Sequence, residues 1–132
     1  MRTVIAKSEF YTIETDVSKN RAYLTFTGFC KKADEISCYL EDVTKAAQQL
    51  KAGFTLVTNA TDFKVPPAEV AALHEKSQKI WIKKGLSKTA EILPESALTQ
   101  MTLNRFSKST GMKKKEFSQR QAAEAWLDSQ DT

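Results

Sequence analysis

Apolar and polar positions alternate in two early stretches, "EFYTIETD" (9–16) and "RAYLTFTG" (21–28). In the second, Ala22, Leu24 and Phe26 share one side, and Tyr23, Thr25 and Thr27 the other. A period of two, rich in β-branched and aromatic residues, predicts strands. The polar "VSKN" between them predicts a turn and hence an antiparallel hairpin. The period then lengthens. Ile36, Tyr39, Leu40, Val43, Ala46, Ala47 and Leu50 fall three and four apart, which predicts one amphipathic helix ending before Gly53. The run Phe54–Val57 is apolar on both faces, as a central parallel strand should be.

Pro66 and Pro67 suit the first turn of a second helix, where an N–H has no partner to lose. Its predicted inner stripe is Val70, Leu73, Ser77, Ile80, Trp81 and Lys84. A strand over about Lys88–Leu93 is closed by Pro94. A third helix follows, with Leu98, Met101, Thr102 and Phe106 inward. "KKKEF" reads as a short edge strand, since lysines on an edge discourage pairing with another chain. Ser118 and Gln121 make a capping box for a last helix that presents Ala122, Ala125 and Trp126 inward. The four glycines, Gly28, Gly53, Gly85 and Gly111, all fall at element boundaries. The order β-β-α-β-α-β-α-β-α predicts an α/β fold. Its expected form is one mixed, mostly parallel sheet of about five strands with four flanking helices, in a single domain over residues 1–132.

Composition adds little to this architecture. With 132 residues, 41% hydrophobic and 27% charged, the chain is ordinary for a globular domain that needs no metal or disulfide staple. Cys30 and Cys38 form no CxxC pair and are expected to be small buried hydrophobes. The N-terminal stretch has no apolar core of signal-peptide length, and no run approaches the ~18 apolar residues of a membrane span. A cytoplasmic location is therefore expected.

Charge is more informative. The net charge is only +4, but it is uneven. Arg105, Lys108, Lys113, Lys114, Lys115 and Arg120 face a single acid, Glu116, in their stretch. Lys76, Lys79, Lys83, Lys84 and Lys88 surround "IWIKKG". The first group is a solvated face or a docking patch for an acidic protein or membrane surface. No nucleic acid is expected, because Trp81, Phe106, Phe117 and Trp126 point inward by phase and leave no stacking platform.

Catalytic and cofactor patterns are missing. There is neither GxGxxG nor GxxxxGK[ST], so no nucleotide loop is indicated. One histidine, His74, and two separated cysteines cannot assemble a usual zinc site. His74 is expected at the edge of its helix's buried stripe, partly exposed. Asp34/Glu35 and Glu41/Asp42 lie on a helix's polar face, with Glu41 four residues before Lys45 in the favourable ion-pair order. Asn59-Ala60-Thr61 is a formal glycosylation sequon that a chain without a secretory signal would never use. No cofactor and no enzyme activity are expected.

"LTFTGFCKKADEISCYLEDV", "KAGFTLVTNATDF", "KTAEILPES" and "EFSQRQAAEAWL", taken in order, resemble the SpoIIAA-like family, which is related to the STAS (sulfate transporter and anti-sigma-factor antagonist) domains. The resemblance spans nearly the whole chain. It implies a sheet with packed helices and a regulatory, protein-binding role in a bacterium. The switch in that family places a phosphorylatable hydroxyl at a helix start, where the N–H groups and dipole favour an anion. Here that position falls around Pro67-Ala68, which has no hydroxyl, so the switch is expected to be absent.

Three groups follow as candidate sites: a loop for a ligand or partner (Thr58, Asn59, Thr61, Asp62), the basic patch (Arg105, Lys108, Lys113, Lys114, Lys115), and a helix contact face (Lys79, Trp81, Lys83, Lys84). Asn59, Thr61 and Asp62 are read first as turn closers. The partner is expected to be a protein of unknown identity, with a homodimer also compatible. The alternative is a carrier of small lipid-like ligands, organised as in the related CRAL-TRIO domains.

Overall fold

The structure, a computed structural model, describes residues 2–129. Its strands are β1 (Thr3–Lys7), β2 (Tyr11–Asp16), β3 (Arg21–Phe26), β4 (Thr55–Asn59), β5 (Lys88–Ile92) and β6 (Lys114–Phe117). Its α-helices are α1 (Tyr39–Gln48), α2 (Ala68–Lys83), α3 (Ala97–Thr110) and α4 (Arg120–Ser129), with a 3-10 turn at Ala33–Ile36. All six strands lie in one sheet in chain order. β1, β2 and β3 pair antiparallel, and β3 to β6 pair parallel.

The α/β class and the mixed sheet agree with the sequence reading, but there are six strands instead of five. β1 escapes the pattern because Val4, Ile5 and Ala6 run together instead of alternating, and its register with β2 shifts between Val4 and Ala6. The hairpin turn is closed by Asn20 in the left-handed region (φ 54°), whose side chain also bonds both backbone groups of Lys51.

α1, α2 and α3 cover one face of the sheet, where Ile13, Leu24, Phe26 and Leu56 meet Tyr39, Val43, Val70, Trp81, Leu103 and Phe106. The other face is covered by α4, whose Ala123 and Leu127 pack on Tyr23, Val57, Ala90 and Ile92. The crossovers bring Gly85, after α2, against the end of the α1 connection. Gly53 N–H donates to Gly85 O at 2.7 Å, and a Cβ on Gly85 would lie 2.7 Å from Ala52 Cα.

Helix faces differ from the sequence reading in several places. The long first helix divides into the 3-10 turn and α1, because Glu35 Oε1 accepts from the Lys31 and Lys32 N–H groups and caps the short turn. On α2 the buried set is Val70, His74, Ser77 and Trp81, while Lys84 is exposed. On α3, Leu98 and Met101 point outward, and Thr99, Thr102, Leu103, Phe106 and Ser107 point in. Burying hydroxyls costs little here, because Thr102 and Ser107 donate to the carbonyls of Leu98 and Leu103 one turn back. On α4, Ala123 and Leu127 face inward; Ala122 and Ala125 are exposed and Trp126 is half-buried. Cys38 is exposed and Cys30 half-buried, so neither is a core residue. None of the described helices is long and apolar enough to cross a membrane.

Candidate functional site

β4, β5 and β6 end side by side at Asn59, Ile92 and Phe117, and the loops leaving them enclose a crevice of about 740 Å³. Carboxyl ends of parallel strands are where open α/β sheets hold ligands, because the diverging loops leave a gap. Thr61 and Asp62 line it from the β4 loop, Pro94, Glu95 and Ser96 from the β5 loop, and Ser118 from the β6 loop.

The four candidate loop residues do different things. Thr58 is buried and faces α2, away from the crevice. Asn59 closes the turn: its Oδ1 accepts from the Thr61 N–H at 3.2 Å and the Thr61 hydroxyl at 2.8 Å. Asp62 does not close it; its carboxylate has no hydrogen-bond partner among the described residues and lines the crevice. The loop is anchored by Ala60, whose N–H donates to Ile92 O at 2.9 Å, and by Phe63, packed on Phe26 and Phe106.

The wall facing this loop is fixed by side chains. Ser96 caps α3 by accepting from the Thr99 N–H at 3.3 Å, and Gln100 donates to Pro94 O at 2.8 Å. At α2 the cap position is Pro67, extended and without a side-chain hydrogen bond, and Ala68 is the first helical residue. The crevice thus offers hydroxyls, two acids and Lys64. No group of three His, Cys, Asp or Glu side chains able to hold a metal exists among the described residues.

A second polar cluster lies inside the molecule, between the sheet and α2. His74 is buried, not partly exposed. Phe26, Tyr39, Phe63 and Phe106 surround its ring at centroid distances of 5.0 to 5.8 Å, with Phe106 stacked on it. Burial lowers its pKa to about 4, so the ring is neutral at physiological pH. Ser77 donates to His74 O at 2.7 Å and accepts from the Tyr39 hydroxyl at 3.2 Å. Burial raises the Tyr39 pKa. Glu91 of β5 lines the same space, and its carboxyl is pushed up by burial and held back by Lys114 Nζ at 2.6 Å. The space open to the centre of a water molecule here is only about 20 Å³, room for about one water. Sequence reasoning missed this cluster. Its signal was a glutamate between Ala90 and Ile92 in a parallel strand.

The basic patch does not stay together. Arg105 and Lys108 are exposed on α3, and Lys113 is exposed beyond its end. Lys114 is turned inward and paired with Glu91. Lys115 lies on the opposite face, its Nζ 5.6 Å from the Trp126 ring centre. Of the helix contact face, Lys79, Lys83 and Lys84 are exposed, but Trp81 is fully buried against Phe54 and cannot meet a partner. The inward phase of a tryptophan between lysines already signalled this.

No family model, no curated protein and no solved structure matches this chain.

Proposed function

We propose that this chain is a non-catalytic regulatory or protein-interaction module of the SpoIIAA-like, STAS-like type, working without a phosphoacceptor switch. The observation that supports it is the start of α2. Pro67 and Ala68 begin α2 at the position where the resemblance puts the family's hydroxyl, two residues beyond Val65 of the crevice. The Thr61 hydroxyl is tied to Asn59 within a closed turn and is not at a helix start. An open crevice lined both by polar side chains and by Phe63, Val65, Leu93 and Pro94 suits a protein segment better than a buried substrate. The carrier alternative has less support. An apolar ligand needs several hundred Å³ between sheet and helices, and the space there is about 20 Å³.

Affinity capture with the wild-type chain and with Asp62→Lys/Ser96→Lys tests the module. The expected result is a reproducible protein partner that is lost in the variant. Failure to recover any partner, together with strictly monomeric elution, or equal retention by both forms, rejects the reading. Thr61→Glu, a phosphate mimic, is expected to leave the partner bound; its loss would restore the switch.

A further inference from the structure

We propose that the outer faces of α2 and α3 form a docking surface for an anionic lipid bilayer. The surface is separate from the crevice and does not depend on its function.

On α3, Leu98, Met101, Arg105 and Lys108 are exposed and spaced three, four and three residues apart, so they form one outward stripe. Leu98 and Met101 are 63% and 62% exposed, the two most exposed large apolar side chains among the described residues. On α2, Lys76, Lys79 and Lys83 are exposed on the side opposite Val70, Ser77 and Trp81. The helices are neighbours: the Thr110 hydroxyl donates to Gln78 Oε1 at 2.7 Å. Packed helix axes lie about 8–10 Å apart, comparable to the Debye length of about 8 Å at physiological salt, so both helices present their charges to the same approaching surface.

Acids flank this field at Glu69, Glu75 and Glu95 but do not interrupt it. No Asp or Glu occurs from Lys76 to Ala90 or from Ser96 to Lys115. None of Lys76, Lys79, Lys83, Arg105 and Lys108 makes an ion pair among the described residues.

The composition of the face selects the partner. Protein interfaces are depleted in lysine and centred on aromatic anchors; this face has four lysines for one arginine, and its Trp81 and Phe106 are buried. A nucleic acid would find cations but no exposed ring for stacking, and nothing for Leu98 and Met101 to contact. An anionic bilayer uses both features. It attracts clustered lysines without demanding fixed geometry, and its acyl boundary accepts protruding apolar side chains beside them.

Cosedimentation with phosphatidylcholine vesicles, with and without phosphatidylglycerol, tests this. The wild-type chain is expected to sediment with the doped vesicles only, and less as salt rises. Lys79→Gln/Lys83→Gln/Lys108→Gln should weaken partitioning about 100-fold, from roughly fivefold per cation near an anionic surface. Lys7→Gln/Lys31→Gln/Lys32→Gln removes the same net charge elsewhere and should change it only slightly. Leu98→Ser/Met101→Ser should weaken it about fivefold at unchanged charge. All substituted side chains are exposed, and circular dichroism checks that each variant folds. Failure of the wild type to sediment with doped vesicles overturns the proposal, as does equal loss in the two lysine variants. Tighter binding to a DNA duplex than to vesicles, lost in the first lysine variant, overturns it in favour of nucleic acid.

Discussion

Lys114 Nζ lies 2.6 Å from Glu91 Oε1 across the β5–β6 pair, with both side chains nearly out of water. Glu116 Oε2 approaches the same ammonium at 3.6 Å, but from a more exposed position. The pair fastens the last parallel strand to the sheet beneath α2 and α3. Removing one partner leaves a buried charge uncompensated. Lys114→Met is therefore expected to destabilise the fold by about 3 kcal/mol or more, measured by urea unfolding. Glu91→Leu/Lys114→Met should recover most of that loss, because no unpaired charge remains. A double variant no better than the single one contradicts this account.

His74 sets an acid limit on stability. Its folded pKa is about 4, below an unfolded value of roughly 6.5. The folded state binds fewer protons in that window, so the contribution is whole above pH 6.5 and lost as pH falls toward 4. The loss should reach about 3 kcal/mol, at up to 1.36 kcal/mol per pH unit. His74→Leu should flatten this part of the stability profile relative to wild type. Parallel profiles for the two proteins are the contrary result.

The two tryptophans should report different environments. Trp81 is fully buried, and Trp126 sits half-buried on Phe117 between Lys88 and Lys115. Trp126→Phe should leave a blue-shifted emission that acrylamide barely quenches, and Trp81→Phe a redder, quenchable one. Equal quenching in both variants disagrees with this packing.

Gly85→Ala should destabilise more than Gly111→Ala. Both glycines have positive φ, +111° and +80°, but only at Gly85 would the new Cβ strike backbone, 2.7 Å from Ala52 Cα. The cost expected at Gly111 is about 1 kcal/mol, with a clearly larger one at Gly85, compared by thermal unfolding. Equal losses would mean that the α1 and α2 connections are free to separate there.

Much of the site was legible beforehand. The polar end of "FTLVTNATDF" does sit at the carboxyl end of a parallel strand, and Asn59 does close its turn. What was not legible was the division of labour within it. Thr58 turns inward, and Asp62 opens on the crevice because Asn59 already satisfies the turn. The inner cluster of His74, Ser77, Tyr39 and Glu91 joins residues from three separate elements, and no local pattern links them.

By itself the sequence determined the alternation of strands and helices, the mixed sheet and the boundaries at glycine and proline. These depend on local periodicity and backbone freedom, which neighbouring residues settle among themselves. Only the tertiary structure decided which helix faces are buried. On α3, Leu98 and Met101 lie roughly opposite Leu103 around the helix, so apolar side chains occur on both sides. Packing against Phe63 and His74 selected the one bearing Leu103 and Phe106 and left Leu98 and Met101 in water. It also decided which lysines remain free, since Lys114 is paired by β5 and Lys108 is paired by nothing among the described residues.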